Sequence, residues 1–239
     1  MRRAIELAHS VLGTTNPNPA VGAIVLDSTG AIVGEGATRP VGDAHAEIVA
    51  LTAAGERARG GTLVSTLEPC RHTGRTGPCT DAIEAAGITR VVYAAADPLD
   101  VASGGEEALT AAGIDVEAGV LTDEASRDLA PWLTAVRRRR PYVTWKYAAT
   151  LDGRTAAADG TSRWITGPEA RRDVHRLRAL SDAVVVGIGT VLADDTVEQA
   201  LPHEATGQRR PALEENEQRL TLEQGSEEGT EVDPALTAG

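Results

Sequence analysis

Phenylalanine is absent, and the 239 residues include only three Trp, three Tyr, one Met and two Cys. All six Trp and Tyr fall between Tyr93 and Trp164, so the first ninety residues carry no ring on which a nucleobase could stack. Positive charge is also scarce: 23 Lys and Arg stand against 35 Asp and Glu, a formal net charge of −12. A single-stranded nucleic-acid groove needs both basic residues and aromatic platforms, and neither is present. The one basic cluster, Arg137-Arg138-Arg139-Arg140, reads as the solvated end of a helix, where cations are favoured by the macrodipole. No apolar run approaches the roughly 20 residues needed to cross a bilayer, and no charged-then-apolar leader is visible. Two cysteines in a chain of this size argue against a disulfide framework. The expectation is therefore a cytoplasmic protein with a small-molecule substrate, no nucleic-acid partner and no membrane; self-association is left open.

Both cysteines are concentrated in one segment, Pro69-Cys70-Arg71-His72-Thr73-Gly74-Arg75-Thr76-Gly77-Pro78-Cys79, which follows His45-Ala46-Glu47 in the chain. One imidazole and two thiolates suit a zinc ion with an open fourth position, at which the metal makes a water far more acidic than it is in bulk. Two thiolates cancel the charge of the ion, so the water needs a base beside it. Glu47, two residues from a ligand, is expected to take the proton, deliver it to a substrate ring nitrogen and then protonate departing ammonia. His-x-Glu followed by Pro-Cys is the pattern of zinc deaminases. The expected metal set is His45, Cys70 and Cys79, with Glu47 catalytic. Cys79 precedes a helix-forming stretch and would lie at a helix N-terminus, which favours its thiolate. A competing arrangement, a closed structural site completed by His72, leaves Glu47 without a role.

Periodicity predicts a helix over residues 1–12, ended by Asn16-Pro17-Asn18-Pro19, and a hairpin of strands 21–26 and 31–35 around Asp27-Ser28-Thr29-Gly30. Helices are then predicted at 44–57, 80–86, 106–112 and 122–137, alternating with strands at 62–67, 90–95 and 115–120. Ala-Ala-Gly-Ile closes two of these helices, with Gly87 and Gly113 as the expected caps. Such alternation implies a mixed sheet covered by helices on both faces, an α/β fold. A strand at 142–149, a helix at 167–179 and a strand at 183–186 predict the start of a second unit. From residue 196 the composition changes: ten acidic residues stand against three arginines, leaving −5 of the net −12 for residues 1–195. That is the composition of a disordered tail. The expected organisation is a zinc domain at 1–120, a connecting helix at 121–140, a partial domain at 141–195 and an acidic tail at 196–239.

The eight-residue spacing between the cysteines distinguishes this segment from the Pro-Cys-x-x-Cys usual in nucleoside and nucleotide deaminases. With Asn16-Pro17-Asn18-Pro19-Ala20-Val21-Gly22, it resembles the bifunctional deaminase–reductase family of riboflavin biosynthesis. The resemblance implies a cytidine-deaminase-like three-layer αβα domain followed by the first βαβ portion of a dihydrofolate-reductase-like domain. It implies zinc-dependent hydrolytic deamination of 2,5-diamino-6-ribosylamino-4(3H)-pyrimidinone 5′-phosphate, with Asn18 and His72 on the pyrimidine and Arg75 suited to the phosphate. Lys146 to Thr155, Ser162 to Gly167 and Gly189 to Asp195 resemble the start of the NADPH-dependent reductase domain. By position, Ala148, Trp164, Thr190 and Asp194 would contact NADPH, and Ser162 and Arg178 the second substrate, 5-amino-6-(5-phosphoribosylamino)uracil. After Asp195 the resemblance is lost, and Asp97-Pro98-Leu99-Asp100 departs from the family's Asp-Pro-x-Pro. Reductase activity is therefore expected to be absent or impaired. The alternative from another class is a non-catalytic zinc-binding remnant.

Overall fold

The structure, a computed structural model, describes residues 1–73, 77–99 and 102–189. Helix α1 (Arg2–Ser10) leads to the hairpin β1 (Gly22–Leu26) and β2 (Ile32–Ala37). Helix α2 (Ala46–Ala54) runs into a single 3₁₀ turn at Gly55–Ala58 and then β3 (Thr62–Leu67). Helix α3 (Cys79–Ala85), β4 (Arg90–Ala95), α4 (Gly105–Ala111), the short β5 (Asp115–Glu117) and α5 (Thr122–Arg138) follow. The last described element is α6 (Pro168–Ala179).

Five strands form one sheet in the order β2-β1-β3-β4-β5. The hairpin and the β1–β3 pair are antiparallel; β3–β4 and β4–β5 are parallel. Apolar residues on successive strands explain the pairing. Val25, Leu63 and Val91 are wholly buried at one level of the sheet, and their register aligns them. Helices α1 and α5 pack together on one face, while α2, α3 and α4 line up on the other. This is the three-layer α/β/α arrangement expected from the alternation of elements.

Both Ala-Ala-Gly-Ile sequences end helices in the same way. Gly87 and Gly113 have φ of +71° and +85°, a conformation that L side chains rarely adopt. The following amides of Ile88 and Ile114 reach back to the carbonyls of Ile83 and Leu109 at 3.3 and 3.0 Å. Each helix therefore stops where its isoleucine turns into the core.

Three expectations need correction. Strand β5 ends at Glu117 rather than continuing to residue 120, and helix α2 yields to the 3₁₀ turn at Gly55. More consequentially, residues 142–149 and 183–186 form no strand. A strand exists only through its ladder partner, and among the described residues none pairs with either segment. Val143, Trp145 and Val185 are accordingly 79%, 81% and 95% exposed. Only the helix of the predicted second unit forms, as α6.

Candidate metal centre

The site lies where two helices begin beside the end of the central strand. Helix α2 sits directly on the hairpin because β2 carries Gly36, where a Cβ would stand 2.3 Å from the Ala46 carbonyl oxygen. His45 is the N-cap of α2, and Glu47 lies in its first turn. Strand β3 delivers Glu68-Pro69-Cys70 at its C-terminal end, and Cys79 opens α3, as expected. An amide of the third segment ties the ligands together: Thr80 N–H donates to the Cys70 carbonyl at 3.2 Å. Residues 25 and 34 positions after His45 thus converge on it.

His45 Nδ1 lies 3.5 Å from Cys70 Sγ and 3.4 Å from Cys79 Sγ. All three ligand atoms fall within 4.8 Å of one another, and His72 is not part of this cluster. Tetrahedral zinc with one nitrogen and sulfur ligands requires N···S separations of about 3.5 Å, from bond lengths near 2.0 and 2.3 Å. The donor set therefore fits the ion in type and spacing, and the cluster consists of His45, Cys70 and Cys79 without His72. Nδ1 is the imidazole nitrogen that faces the sulfurs.

Glu47 is only 4% exposed. One carboxyl oxygen receives a hydrogen bond from Ser65 Oγ at 3.3 Å, and the other lies 3.7 Å from Cys79 Sγ. Burial pushes its carboxyl above the ordinary range, favouring the protonated form that a proton carrier must visit. His45 is raised, chiefly through its hydrogen bond with Cys70. The two sulfurs compete for one proton. A hydrogen bond from the Cys79 thiol pulls Cys70 down to about 4, while Cys79 is driven up by that same bond and by burial. A dication between them removes the conflict, because both can then be thiolates.

Of the other candidates, Asn18 is half-buried in the loop after β-turn residue Thr15, whose hydroxyl donates to the Asn18 carbonyl at 3.0 Å. His72 is half-buried, and its Nδ1 has no hydrogen-bond partner among the described residues. Arg75, Thr190 and Asp194 lie outside the described residues. Ala148 is half-buried and Ser162 exposed. Trp164 is 67% exposed, with the Arg171 guanidinium 4.2 Å over its ring. Arg178 on α6 has a buried Nε without a partner among the described residues. A depression of about 360 Å³ between α2 and α3 is lined by Ile48, Gly77, Pro78, Asp81 and Ala82; none of the three clustered ligands lines it.

Two buried polar residues escaped the sequence reading. Ser65 looks like any β3 residue until its hydroxyl is found on Glu47. Glu68 sits 6% exposed beside Pro69 and accepts backbone N–H groups from Asp97, Gly104 and Glu106, each at 3.1 Å. An acid ending an apolar strand directly before Pro-Cys was the available signal.

Residues 1–95 match the family model for the cytidine and deoxycytidylate deaminase zinc-binding region, and residues 141–221 that for the RibD C-terminal domain. The second match runs past Asp195, where the resemblance read from the sequence ended. The chain is similar to riboflavin biosynthesis protein RibD of Mycobacterium tuberculosis, 53% identical over 196 residues, covering 82% of this chain and 58% of that protein. It is similarly related to RibD of Escherichia coli at 50% identity, covering 82% of this chain and 53% of that protein. A solved structure of a diaminohydroxyphosphoribosylaminopyrimidine deaminase/5-amino-6-(5-phosphoribosylamino)uracil reductase from Thermotoga maritima superposes with a TM-score of 0.77 at 47% identity, covering 82% of this chain and 56% of that one. The chain thus spans little more than half the length of these relatives.

Proposed function

We propose, on the premise that this chain is over 82% of its length a homologue of the riboflavin-biosynthesis deaminase–reductases, that it catalyses the deaminase half of their chemistry. The observation that carries this reading is the cluster of His45, Cys70 and Cys79 with the buried Glu47 carboxylate 3.7 Å from Cys79 Sγ. Those three residues would hold zinc, whose Lewis acidity makes a water reactive at neutral pH. The substrate is 2,5-diamino-6-ribosylamino-4(3H)-pyrimidinone 5′-phosphate. Attack of that water at the carbon bearing the 2-amino group, followed by loss of ammonia, leaves the uracil derivative.

Glu47 is the proton carrier in this reading. It takes one proton from the attacking water and gives it to the neighbouring ring nitrogen, then takes the second from the added hydroxyl and gives it to the amine, which leaves as ammonia while the carbonyl forms. Ser65 fixes one carboxyl oxygen and so aims the other toward the ligands. Asn18 and the unpartnered Nδ1 of His72 bind the pyrimidine, and Arg75 the phosphate. The substrate is a small molecule, and the acidic chain suits neither nucleic acid nor a polyanionic surface. No helix among the described residues is long and apolar enough to cross a membrane, and two buried free cysteines support a reducing, cytoplasmic setting. The proposed domain boundaries remain 1–120, 121–140, 141–195 and 196–239.

In the family's reductase chemistry, Ala148, Trp164, Thr190 and Asp194 would bind NADPH, and Ser162 and Arg178 the ribosylamino-uracil. In this chain we place that activity at absent or strongly impaired, because residues 142–149 and 183–186 have no ladder partner among the described residues and Trp164 stands exposed. The test is ammonia release by the purified, zinc-loaded chain supplied with the diaminopyrimidine phosphate. Multiple turnovers are expected. A chain that binds one zinc but releases no ammonia would instead be the non-catalytic remnant, an outcome that the exposed Val143, Trp145 and Val185 would then explain.

A further inference from the structure

We infer that Glu68 is a positioning residue that keeps the metal in place, by fastening residues 97–99 and 102–106, between β4 and the start of α4, against the two sulfur ligands. Its carboxylate holds three backbone N–H groups at 3.1 Å: Asp97 on one oxygen, Gly104 and Glu106 on the other. These donors come from just after β4 and from the beginning of α4, 29 to 38 residues further along the chain. One buried side chain thereby holds both of these stretches.

What these stretches touch gives their attachment its purpose. Ala102 is 2% exposed and packs with Cys70 and Cys79, and Leu99 rests against the same group. Arg71 N–H, next to the first sulfur ligand, donates to the Ala102 carbonyl at 3.3 Å. Gly105 lies so close under Pro69 that a Cβ there would stand 1.9 Å from the Pro69 carbonyl oxygen. The chain on either side of Cys70 is thus seated on the stretches that Glu68 holds. Loss of zinc requires protons or a competing ligand to reach the thiolates, and Leu99 and Ala102 stand over them. Groups behind metal ligands typically change affinity by about tenfold to a hundredfold when altered.

Glu68→Gln is the informative variant. An amide has one acceptor oxygen where the carboxylate has two, so at least one of the three backbone donors must face an NH₂ group. The inference rests on His45, Cys70 and Cys79 being zinc ligands, and the experiment separates the two. Zinc transfer from the loaded full-length chain to a chromogenic chelator is followed at 25 °C, alongside thermal melting. The E68Q chain is expected to start with one zinc and to lose it about tenfold to a hundredfold faster than wild type. The control is Leu133→Ala, which removes core packing on α5, across the sheet from the ligands. It should lower the melting temperature without speeding zinc loss. Equal rates for E68Q and wild type overturn the inference, as does acceleration in L133A matching that in E68Q at equal loss of stability. A wild-type chain that takes up no zinc would overturn the ligand assignment itself.

Discussion

At the scale of single residues, Glu47 combines burial, a hydroxyl partner and closeness to a sulfur ligand. It makes no direct contribution to the ligand set. Glu47→Gln keeps the shape and one acceptor but cannot carry a proton, so zinc content and melting temperature should remain near wild type. Turnover should fall by about 10²–10⁴, the usual contribution of a general acid–base group. Steady-state ammonia release with zinc quantified on the same sample measures this. Activity within threefold of wild type would assign the proton to another group.

At the scale of elements, the position of α2 depends on the absence of a side chain at residue 36. A methyl group there meets the Ala46 carbonyl at 2.3 Å and the Ala50 nitrogen at 2.6 Å, both backbone atoms that cannot swing aside. Gly36→Ala should cost on the order of 1–3 kcal/mol of stability, the range for overpacking. It should also reduce deamination, because α2 carries His45 and Glu47 away from Cys79 as it shifts. Denaturant melts paired with activity would show both, and an active, equally stable G36A would mean that the hairpin yields instead of the helix.

The hairpin turn has its own electrostatic lock. Asp27 accepts from the Thr29 hydroxyl and amide and from the Ala31 amide, and it pairs with Arg57 at 3.1 Å. Its carboxyl is pulled down to about 2, chiefly by the Thr29 hydroxyl. A group whose folded pKa is lowered stabilises the fold above its unfolded value, and that contribution is lost as pH falls through the folded one. Wild type should therefore melt above Asp27→Asn at pH 6, and the gap should close as pH falls from about 4 to about 2, the window between the unfolded and folded values. A gap independent of pH would show that the turn does not need the charge.

At the scale of the molecule, the two parts differ in how they are held. The first 138 residues surround one sheet with helices on both faces, whereas α6 has no fully buried residue. Cofactor binding needs donors converging from rigid elements. Absorbance at 340 nm, followed with NADPH and the deaminated product, should therefore stay flat while ammonia release proceeds. Oxidation at a comparable rate would mean that residues beyond those described, or a partner chain, complete the pocket.

Local signals were enough for much of this. Strands at 62–67 and 90–95 matched their apolar runs to the residue, and Gly87 and Gly113 marked helix ends because a positive φ is a property of one residue. The convergence of His45, Cys70 and Cys79 was legible too, since these residue types and the spacing between them point to one another through their chemistry. Strand order, by contrast, was decided by packing between segments far apart in sequence. So were the hydrogen bonds of Ser65 and Glu68, whose partners lie 18 and 29 to 38 residues away. The failure at 142–149 and 183–186 has the same origin. Alternating apolar residues show that a segment could form a strand, but its hydrogen bonds must come from a neighbour, and only the tertiary structure determines whether one is there.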